Sequence, residues 1–439
     1  MSGLSRFCLT ALSASLFVSV AYAELSLDNN TRIVTSTSSQ LQSTADQSPA
    51  KIGYSYGSRP QYLIDDMDDS PLKRELQACE GQMPKKTDFS IAHRGAPLQY
   101  SEHTVDSYVA SARMGAGILE CDVTFTKDRE LVCRHAQNDL HTTTNIVASN
   151  LANQCTTAPK FNSNGNLSNA KDIECRTSDI TLNDYRSLKG KMDAYNDKAT
   201  NVDDYMNATA NWRTDLYSQN GKLMTLKEHI ALAERLGMKH TPELKAPSVD
   251  MPFIGYSQDD YRQQLIDTYR QAGVNPANVY AQSFDLDDVR YWLKNTPDFG
   301  KQAVYLIDDS NETANGKTFD KNDPTTWKHS PAELKRMGVN IIAPATWLLV
   351  SSDGNGNLIP SEYAKKANSA GLGIITWSLE RSGPLANGGG WYYTGLEDAI
   401  NNDGDMMNYI DVLAQDVGVM GIFSDWPATV TYYANCKGL

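Results

Sequence analysis

Eight short apolar and β-branched runs alternate with amphipathic patterns from residue 88 onward in this 439-residue chain. The runs are FSIAHR, GILECDVTFT, MKHTPELK, NVYAQSF, QAVYLID, NIIAPAT, GLGIITWSL and VGVMGIFSD. Most are separated by a helical pattern, such as TLKEHIALAERLG or DDYRQQLIDTYRQAG. Continuous apolar runs between helices are typical of parallel strands that are buried on both faces. Eight such units predict an α/β fold, the (β/α)8 TIM barrel, with a doubly wound open sheet as the alternative that the strand count leaves open.

Two segments depart from this alternation. Residues 24–85 are rich in Ser, Asp, Gln and Thr and show little periodicity, so we interpret them as an N-terminal extension of a barrel domain at 86–439. About ninety residues separate the second strand from the next helical pattern, which predicts an insertion at about 140–222. A long excursion at the carboxyl end of a barrel strand often shapes an active site.

The first 23 residues have the pattern of a secretory signal. Arg6 precedes an uncharged apolar stretch, and Ala21-Tyr22-Ala23 fits the small-x-small cleavage rule. We predict that residues 1–23 are cleaved and that the protein is secreted or periplasmic; an uncleaved anchor is the alternative, although the apolar stretch is short for a bilayer span. No later segment is long enough for a transmembrane helix, and the oligomeric state is left open.

Six cysteines remain after the predicted cleavage, and an even number in an exported chain indicates disulfides. They are Cys79, Cys121, Cys133, Cys155, Cys175 and Cys436. Cys155 and Cys175 bracket a polar loop and are the pair that we predict first, while Cys79 and Cys436 could join the two ends of the folded region. The sequence does not fix the connectivity.

The formal net charge of −13 argues against one class of partner. Such an acidic chain is poorly suited to holding a nucleic-acid backbone, so we expect no nucleic-acid partner. The same charge is compatible with binding a metal cation.

Polar residues stand at the carboxyl ends of the first two predicted strands. His93 and Arg94 end the first strand, and this edge of a barrel carries the chemistry. Glu120 and Asp122 are two apart on the second strand, so their carboxylates face the same side.

A predicted hairpin adds a histidine to this group. Residues 127–130 have the pattern of a turn, and pairing Thr126 with Leu131 places His135 directly across from Asp122. Two carboxylates and one histidine are therefore expected to converge.

A third carboxylate, Glu243, lies near the end of the third strand, two residues before Lys245. Three acidic groups at neighbouring strand ends repel one another unless a cation lies between them. Oxygen ligands alone favour a hard divalent ion, Ca2+ or Mg2+, over zinc. Arg94 and Lys245 supply positive charge for an anion such as phosphate.

Each of these residues also has an ordinary structural interpretation. Glu243 and Lys245 could pair with each other, and Glu120 and Asp122 could belong to a solvated strand edge. Five further histidines have no comparable neighbours and are interpreted as structural: His103, His141, His229, His240 and His329.

The ordered motifs HRG, SEHT, GAGILECDVTFTKDRELVCRH, PELK, QSF, TWS and FSDWP resemble the glycerophosphodiester phosphodiesterase family from about residue 88 to about 430. The resemblance implies a TIM barrel that hydrolyses glycerophosphodiesters to an alcohol and glycerol 3-phosphate with one divalent cation, and we favour Ca2+ over Mg2+. It implies the following roles: His93 and His135 as general acid and base, Glu120, Asp122 and Glu243 as metal ligands, Arg94 and Lys245 as phosphate ligands, and Trp377 at the pocket wall.

Two motifs depart from the family pattern. The family usually has Pro-Glu-Asn-Thr where this chain has Ser101-Glu102-His103-Thr104, and His-Asp where this chain has His135-Ala136. The second change removes one possible orienting partner of His135, for which Gln137 or Asn138 could substitute.

Two other functions stay open at this level. One is a phospholipase D-type activity on lysophospholipid or sphingomyelin, which shares the barrel and the two histidines and which an exposed aromatic rim would favour. The other, prompted by Ala136, is a binding protein that retains the barrel without catalysis.

Overall fold

The computed structural model describes residues 52–218, 221–314 and 316–439, and their centre is a closed barrel of eight parallel strands. The strands are β1 (Thr87–Ala92), β2 (Ala116–Phe125), β3 (Lys239–Leu244), β4 (Gln282–Ser283), β5 (Val304–Ile307), β6 (Ile341–Pro344), β7 (Gly373–Leu379) and β8 (Gly421–Ser424). Each strand pairs with the next, and β1 pairs with both β2 and β8. This closure confirms the TIM barrel and excludes the open sheet.

Helices alternate with the strands, as the amphipathic patterns predict. The longer ones are Val105–Arg113, Leu226–Leu236, Gln258–Gln271, Leu286–Asn295, Pro331–Arg336, Glu362–Ser369, Asp405–Asp411 and Ala428–Lys437. Local signals set several of their ends: Thr225 and Ser257 form capping boxes, and Gly237 ends a helix in the left-handed conformation.

The interior of the barrel is filled by side chains from several strands. One buried cluster combines Ile91, Ile118, Val304, Leu306, Ile341, Ala343, Ile375 and Phe423. These residues alternate along their strands with others that face the surrounding helices, which explains why the strand sequences are apolar throughout. The packed interior leaves the chemistry to the carboxyl-end mouth.

The described part of the N-terminal extension contains two helices, Arg59–Asp66 and Pro71–Ala78. Leu63, Ile64 and Leu76 are buried in the main hydrophobic cluster of the barrel domain. Each helix has only 8 residues, too few for a clear helical period in the sequence. The predicted signal at 1–23 lies outside the described residues.

The segment at 140–222 consists of short helices, turns and a small two-stranded sheet. Its elements include Leu140–Thr143, Leu182–Tyr185 and Val202–Met206, with Lys189–Gly190 pairing to Gly221–Lys222. Buried apolar residues give it a hydrophobic cluster separate from that of the barrel, and the Cys155–Cys175 disulfide belongs to that cluster. The segment therefore has packing of its own.

The predicted register of the hairpin after β2 is wrong by one residue. Phe125 pairs with Leu131, which places Arg134 and not His135 opposite Asp122. Arg129 adopts a left-handed conformation with φ 65°, and the amide of Thr126 bonds to the carbonyl of Glu130. The turn is thus one residue shorter than predicted, a three-residue loop closed by a left-handed residue.

Three disulfides are present: Cys79–Cys436, Cys121–Cys133 and Cys155–Cys175. They include both pairs suggested by the sequence, and the third joins the two strands of the hairpin. Three disulfides are typical of an oxidising compartment. None of the helices in the described ranges is long and apolar enough to span a bilayer.

Removal of the Cys79–Cys436 disulfide by serine substitution is expected to lower the free energy of unfolding by about 2–5 kcal/mol, because this bridge closes a very long loop. The two cysteines are 357 residues apart. Urea unfolding of the double variant measures the loss, and the Cys155→Ser/Cys175→Ser variant, with a separation of 20 residues, is the matched comparison. An unchanged urea midpoint in the first variant would contradict the expectation.

Candidate active site

A cavity of about 290 Å³ opens at the mouth of the barrel. All eight residues singled out from the sequence line it: His93, Arg94, Glu120, Asp122, His135, Glu243, Lys245 and Trp377. Phe284, Leu306, Asp308, Tyr392 and Phe423 complete its wall. Residues from strands β1, β2, β3 and β7 and from the hairpin therefore meet at one place.

His93 follows β1 directly and is held by two neighbours. Its Nδ1 lies 2.5 Å from Oδ1 of Asp425 and 3.0 Å from Oγ of Ser378. These contacts fix the ring so that Nε2 is the nitrogen left for other partners. Burial lowers the pKa of His93 to about 4, although the nearby Asp425 carboxylate acts in the opposite direction. The imidazole is therefore neutral at neutral pH.

The depressed pKa of His93 predicts a loss of stability in acid. The unfolded ring, with an ordinary pKa of 6.5, binds a proton below that pH, whereas the folded ring does so only near pH 4. The free energy of unfolding should therefore fall as the pH drops from 6.5 toward 4, by up to about 1.4 kcal/mol per pH unit for this group. Urea unfolding between pH 4 and 7 should show a shallower slope for His93→Gln than for the wild type. Parallel slopes would contradict the prediction, and His329→Gln is the matched control.

His135 lies just beyond the short strand Leu131–Cys133, where the chain bends into the cavity. Burial holds its pKa well below the usual range, and the positive charges of Arg94 and Lys245 act in the same direction. Among the described residues no hydrogen bond to its ring is found. Gln137, considered as a substitute partner, instead accepts a hydrogen bond from the amide of Ser248 at 2.6 Å.

Three carboxylates converge beside these histidines. Glu120, Asp122 and Glu243 are buried, and each offers an oxygen within 4.8 Å of the others. Glu120 accepts hydrogen bonds from the amide of Arg94 at 2.8 Å and from the side chain of Gln282 at 2.9 Å. Burial raises the pKa of Glu120 well above its ordinary value, and the other two carboxylates add to this effect.

Asp122 is the member of the cluster that stays ionised. Burial acts to raise its pKa, but Lys245 and His103 hold the pKa well below the usual range. His103 Nε2 lies 2.8 Å from Asp122 Oδ2, and its Nδ1 lies 2.7 Å from the Tyr108 hydroxyl. Oδ1 of Asp122 is buried and has no hydrogen-bond partner within the part of the chain that the structure describes.

Glu243 pairs with Lys245, whose Nζ lies 2.6 Å from Oε1. This is the ordinary ion pair that the sequence left open, and it leaves the second oxygen of Glu243 for another ligand. Burial raises the pKa of Glu243 to about 8, which Lys245 only partly offsets. A bound cation would lower the pKa of Glu243 and favour its ionised form. The oxygen-only donors and the unpartnered Asp122 oxygen fit a hard divalent ion.

Arg94 is held in a conformation rare for its residue type. Its φ of 56° turns the backbone amide toward Glu120, and its guanidinium lies 3.1 Å from Oε2 of Glu102 and 3.7 Å from Oδ2 of Asp122. Arg94 is buried and Lys245 is partly buried, and both place a cation on the cavity wall. Two cations beside three carboxylates allow an anion and a metal to bind together.

Aromatic rings form another part of the wall. Trp377 lies edge-on to Phe284 at 5.5 Å and to Tyr392 at 6.1 Å between ring centroids. Trp391 contacts Trp377 at 5.6 Å and is 39% exposed. Trp377 is fixed by a hydrogen bond from its indole nitrogen to the carbonyl of Ala343 at 2.9 Å.

Several residues that support the site were missed by sequence reasoning. Asp425 and Gln282 lie in motifs that indicated the family but received no role. His103 was interpreted as structural, and nothing in the sequence marked Arg381, which reaches Asp425 at 3.0 Å. The signals available were the position of Asp425 at the end of the predicted strand VGVMGIFSD, that of Gln282 near the end of NVYAQSF, and that of His103 within the SEHT motif.

Comparisons with known proteins agree with this geometry. The model of the Glycerophosphoryl diester phosphodiesterase family matches residues 93–429. A protein of Arthroderma benhamiae named Extracellular protein is 46% identical over 253 residues, which are 56% of this chain and 100% of that protein. Glycerophosphodiester phosphodiesterase GDPD6 of Arabidopsis thaliana is 22% identical over 87% of this chain and 93% of its own length.

The fold has a counterpart in a Silicibacter pomeroyi protein assigned as a glycerophosphoryl diester phosphodiesterase. Its crystal structure superposes with a TM-score of 0.52 at 16% identity and covers 83% of this chain and 98% of its own. The chain belongs to the glycerophosphodiester phosphodiesterase family and is an enzyme that hydrolyses glycerophosphodiesters to glycerol 3-phosphate.

Proposed function

We propose that the enzyme hydrolyses small glycerophosphodiesters, such as glycerophosphocholine or glycerophosphoethanolamine, with one divalent cation and two histidines. The observation that carries the proposal is that His93 and His135, three carboxylates and two cations all line one cavity of about 290 Å³. A cavity of this size suits a small polar diester rather than a whole diacyl lipid.

Glu120, Asp122 and Glu243 are the proposed metal ligands, since their oxygens converge within 4.8 Å. We favour Ca2+, with Mg2+ as the alternative, because Mg2+ is usually bound through one or two carboxylates, whereas Ca2+ accepts more oxygen ligands in a flexible geometry. A bound cation would stabilise the negative charge that develops on the phosphate oxygens.

Arg94 and Lys245 are the proposed phosphate ligands, and Trp377 contributes the neighbouring wall. These two cations would hold the diester and compensate its negative charge. Burial lowers the pKa of both His93 and His135, so a neutral ring is available to accept a proton as general base, whereas the ring that acts as general acid must first bind a proton and react as an imidazolium. One takes a proton from the nucleophile and the other gives one to the departing alkoxide; the nucleophile is water or the neighbouring glycerol hydroxyl.

We further propose that the protein acts outside the cell. Its three disulfides require an oxidising compartment to form and persist, and the Arthroderma benhamiae relative carries the name Extracellular protein. The N-terminal pattern of a secretory signal leads to the same proposal.

The direct test is release of glycerol 3-phosphate from glycerophosphocholine and glycerophosphoethanolamine by the purified protein, followed with a coupled dehydrogenase. We expect turnover on at least one of the two. Absence of product from both, with Ca2+ or Mg2+ supplied to a folded protein, would refute the proposed substrates.

One observation favours a second candidate reaction, a phospholipase D-type cleavage of lysophospholipid or sphingomyelin. The exposed ring of Trp391 continues the aromatic wall outward from Trp377, and such a rim can contact an acyl chain. Lysophosphatidylcholine and sphingomyelin therefore belong in the same assay. Release of choline from these lipids, with no turnover of the water-soluble diesters, would establish this second reaction.

A further inference from the structure

Arg381 lies two residues beyond strand β7 and joins three carboxylates from three parts of the chain. Its Nη1 lies 3.0 Å from Oδ2 of Asp425, while Nη2 lies 3.2 Å from Oδ2 of Asp193 and 3.8 Å from Oε2 of Glu102. The side chain is 14% exposed. A guanidinium with this many charged partners is fixed in orientation.

Two of the carboxylates that contact Arg381 also contact a residue of the proposed active site. Asp425 contacts Arg381 through one oxygen and His93 Nδ1 through the other, at 2.5 Å. Glu102 contacts Arg381 and also the guanidinium of Arg94, at 3.1 Å. One side chain thus orients both a proposed proton-transfer residue and a proposed phosphate ligand.

The third partner, Asp193, is supplied by the inserted segment at 140–222 and not by the barrel. Its backbone is held firmly: the amides on either side, of Lys191 and Ala194, bond to the carbonyls of Thr143 and Thr142 at 2.9 and 3.2 Å. The side chain of Asp193 is 31% exposed, so it reaches the buried network from its rim.

The charges explain why a third carboxylate is needed. Arg94 is buried, Arg381 is partly buried, and the two share Glu102, while Arg213 of the inserted segment brings a further cation toward the same anions. Arg94 also lies 3.7 Å from Asp122, but that carboxylate is shared with Lys245. Without a further anion the three arginines would have only Glu102 and Asp425 besides, and poorly compensated positive charge beside buried groups is costly. Asp193 balances that charge.

We propose that Arg381 and Asp193 are positioning residues of this enzyme, with Asp193 fixing the arginine that orients the Asp425–His93 and Glu102–Arg94 pairs together. The inserted segment is then part of the catalytic machinery, because it supplies an anion that the barrel lacks at this place. The inference rests on the proposed function, since it assigns His93 and Arg94 to the reaction.

The experiment compares Arg381→Gln, Arg381→Lys, Asp193→Asn and the double variant Arg381→Gln/Asp193→Asn in the full-length protein. The readouts are kcat and KM for the diester that the wild type hydrolyses, together with the melting temperature. We expect Arg381→Gln to lower kcat by about 100-fold and Asp193→Asn by about tenfold, with smaller effects on KM. Arg381→Lys should recover part of the lost kcat, because lysine keeps the positive charge but not the planar guanidinium that donates several hydrogen bonds at once.

The activity of the double variant and the pH dependence of kcat/KM distinguish a positioning role of Arg381 and Asp193 from a purely structural one. Because Asp193 acts through Arg381, adding Asp193→Asn to Arg381→Gln should cost no further activity. The acidic limb of the pH profile of kcat/KM should shift in opposite directions in the two single variants. Arg381→Gln removes a cation that lowers the pKa of His93, so the limb should move to higher pH. Asp193→Asn leaves that cation uncompensated, so the limb should move to lower pH. The other groups facing His93 are Asp425, Ser378 and Arg94, and these variants leave them in place.

Asp197→Asn is the matched control, since Asp197 is an exposed carboxylate of the same segment and should keep wild-type kcat. Wild-type kcat and pH dependence in Asp193→Asn would overturn the role of Asp193. A loss in Arg381→Gln that is accompanied by a lower melting temperature and is not recovered by lysine would overturn the role of Arg381. An inactive wild type would instead refute the proposed function.

Discussion

Alanine at His93 or at His135 is expected to lower kcat for glycerophosphodiester hydrolysis by about 10²- to 10⁴-fold, the range typical of a general acid or base. The physical reason is that no other neutral imidazole lines the cavity of the described structure. His93 is held by Asp425 and Ser378, and water does not reproduce a ring fixed by two hydrogen bonds. Steady-state kinetics with glycerophosphocholine or glycerophosphoethanolamine measures the loss.

The controls determine whether the loss is chemical. Circular dichroism and the melting temperature should stay close to those of the wild type, because neither ring belongs to a hydrophobic cluster of the described residues. His329→Ala, which removes a partly buried ring paired with Glu312 at 2.9 Å, should keep wild-type kcat. Turnover at the wild-type rate in both His93→Ala and His135→Ala would remove these histidines from the mechanism.

The double variant gives a second check on the pair. If the two histidines act on the same chemical step, His93→Ala/His135→Ala should be no slower than the slower single variant, because residues that act as a unit are strongly non-additive. Fully additive losses would mean that the two rings act on separate steps.

The barrel was predictable from the sequence because its strands are buried on both faces. Each of the eight apolar runs overlaps one barrel strand, and residues such as Ile91 and Phe423 fill the interior. A strand buried on both faces has a continuous run of apolar residues, and such a run can be recognised in the sequence alone. The bounds were less accurate: β1 ends at Ala92, so His93 and Arg94 lie just beyond the strand and not on it.

The hairpin register was not predictable, because it depends on one backbone conformation. Arg129 adopts a positive φ that its residue type does not signal, whereas Gly or Asn would have indicated it. Asp122 therefore faces Arg134 in the ladder, and His135 reaches the cavity only because the chain bends after Cys133. Asp122 and His135 were therefore correctly predicted to converge, although the predicted strand pairing between them is wrong.

The supporting network was beyond sequence reasoning because its partners are far apart in the chain. The contact between His93 and Asp425 spans 332 residues and exists only because β8 closes against β1. His103 was interpreted as structural because it had no neighbours comparable to those of the other site residues, yet it bonds to Asp122 across a separation of 19 residues. Periodicity describes faces of single elements and carries no information on such contacts.

Removal of the proposed divalent cation is expected to abolish activity. Chelation with EDTA followed by desalting should leave an inactive protein, and Ca2+ should restore turnover at lower concentration than Mg2+ because a carboxylate-rich site with flexible geometry favours the larger ion. The cluster of Glu120, Asp122 and Glu243 is the proposed site. Full activity after exhaustive chelation would contradict the proposal.

Isosteric variants test which side chains bind the proposed cation. Glu120→Gln, Asp122→Asn and Glu243→Gln each remove one anionic ligand with little change in volume, and each should weaken Ca2+ binding in titration calorimetry and lower kcat at limiting Ca2+. Asp250→Asn, at an exposed carboxylate outside the cavity, is the matched control and should bind Ca2+ as the wild type does.

Asp122 should be the most sensitive of the three ligands. It is the carboxylate whose pKa is held below the usual range, and its buried Oδ1 lacks a hydrogen-bond partner within the described structure. One oxygen of Glu243 contacts Lys245, and Glu120 accepts hydrogen bonds from Arg94 and Gln282. Both glutamates therefore have protein partners even when no metal ion is bound. An unpartnered buried oxygen is costly unless something binds to it. Asp122→Asn should therefore raise the Kd for Ca2+ more than Glu120→Gln or Glu243→Gln, and the reverse order in calorimetry would place the cation elsewhere.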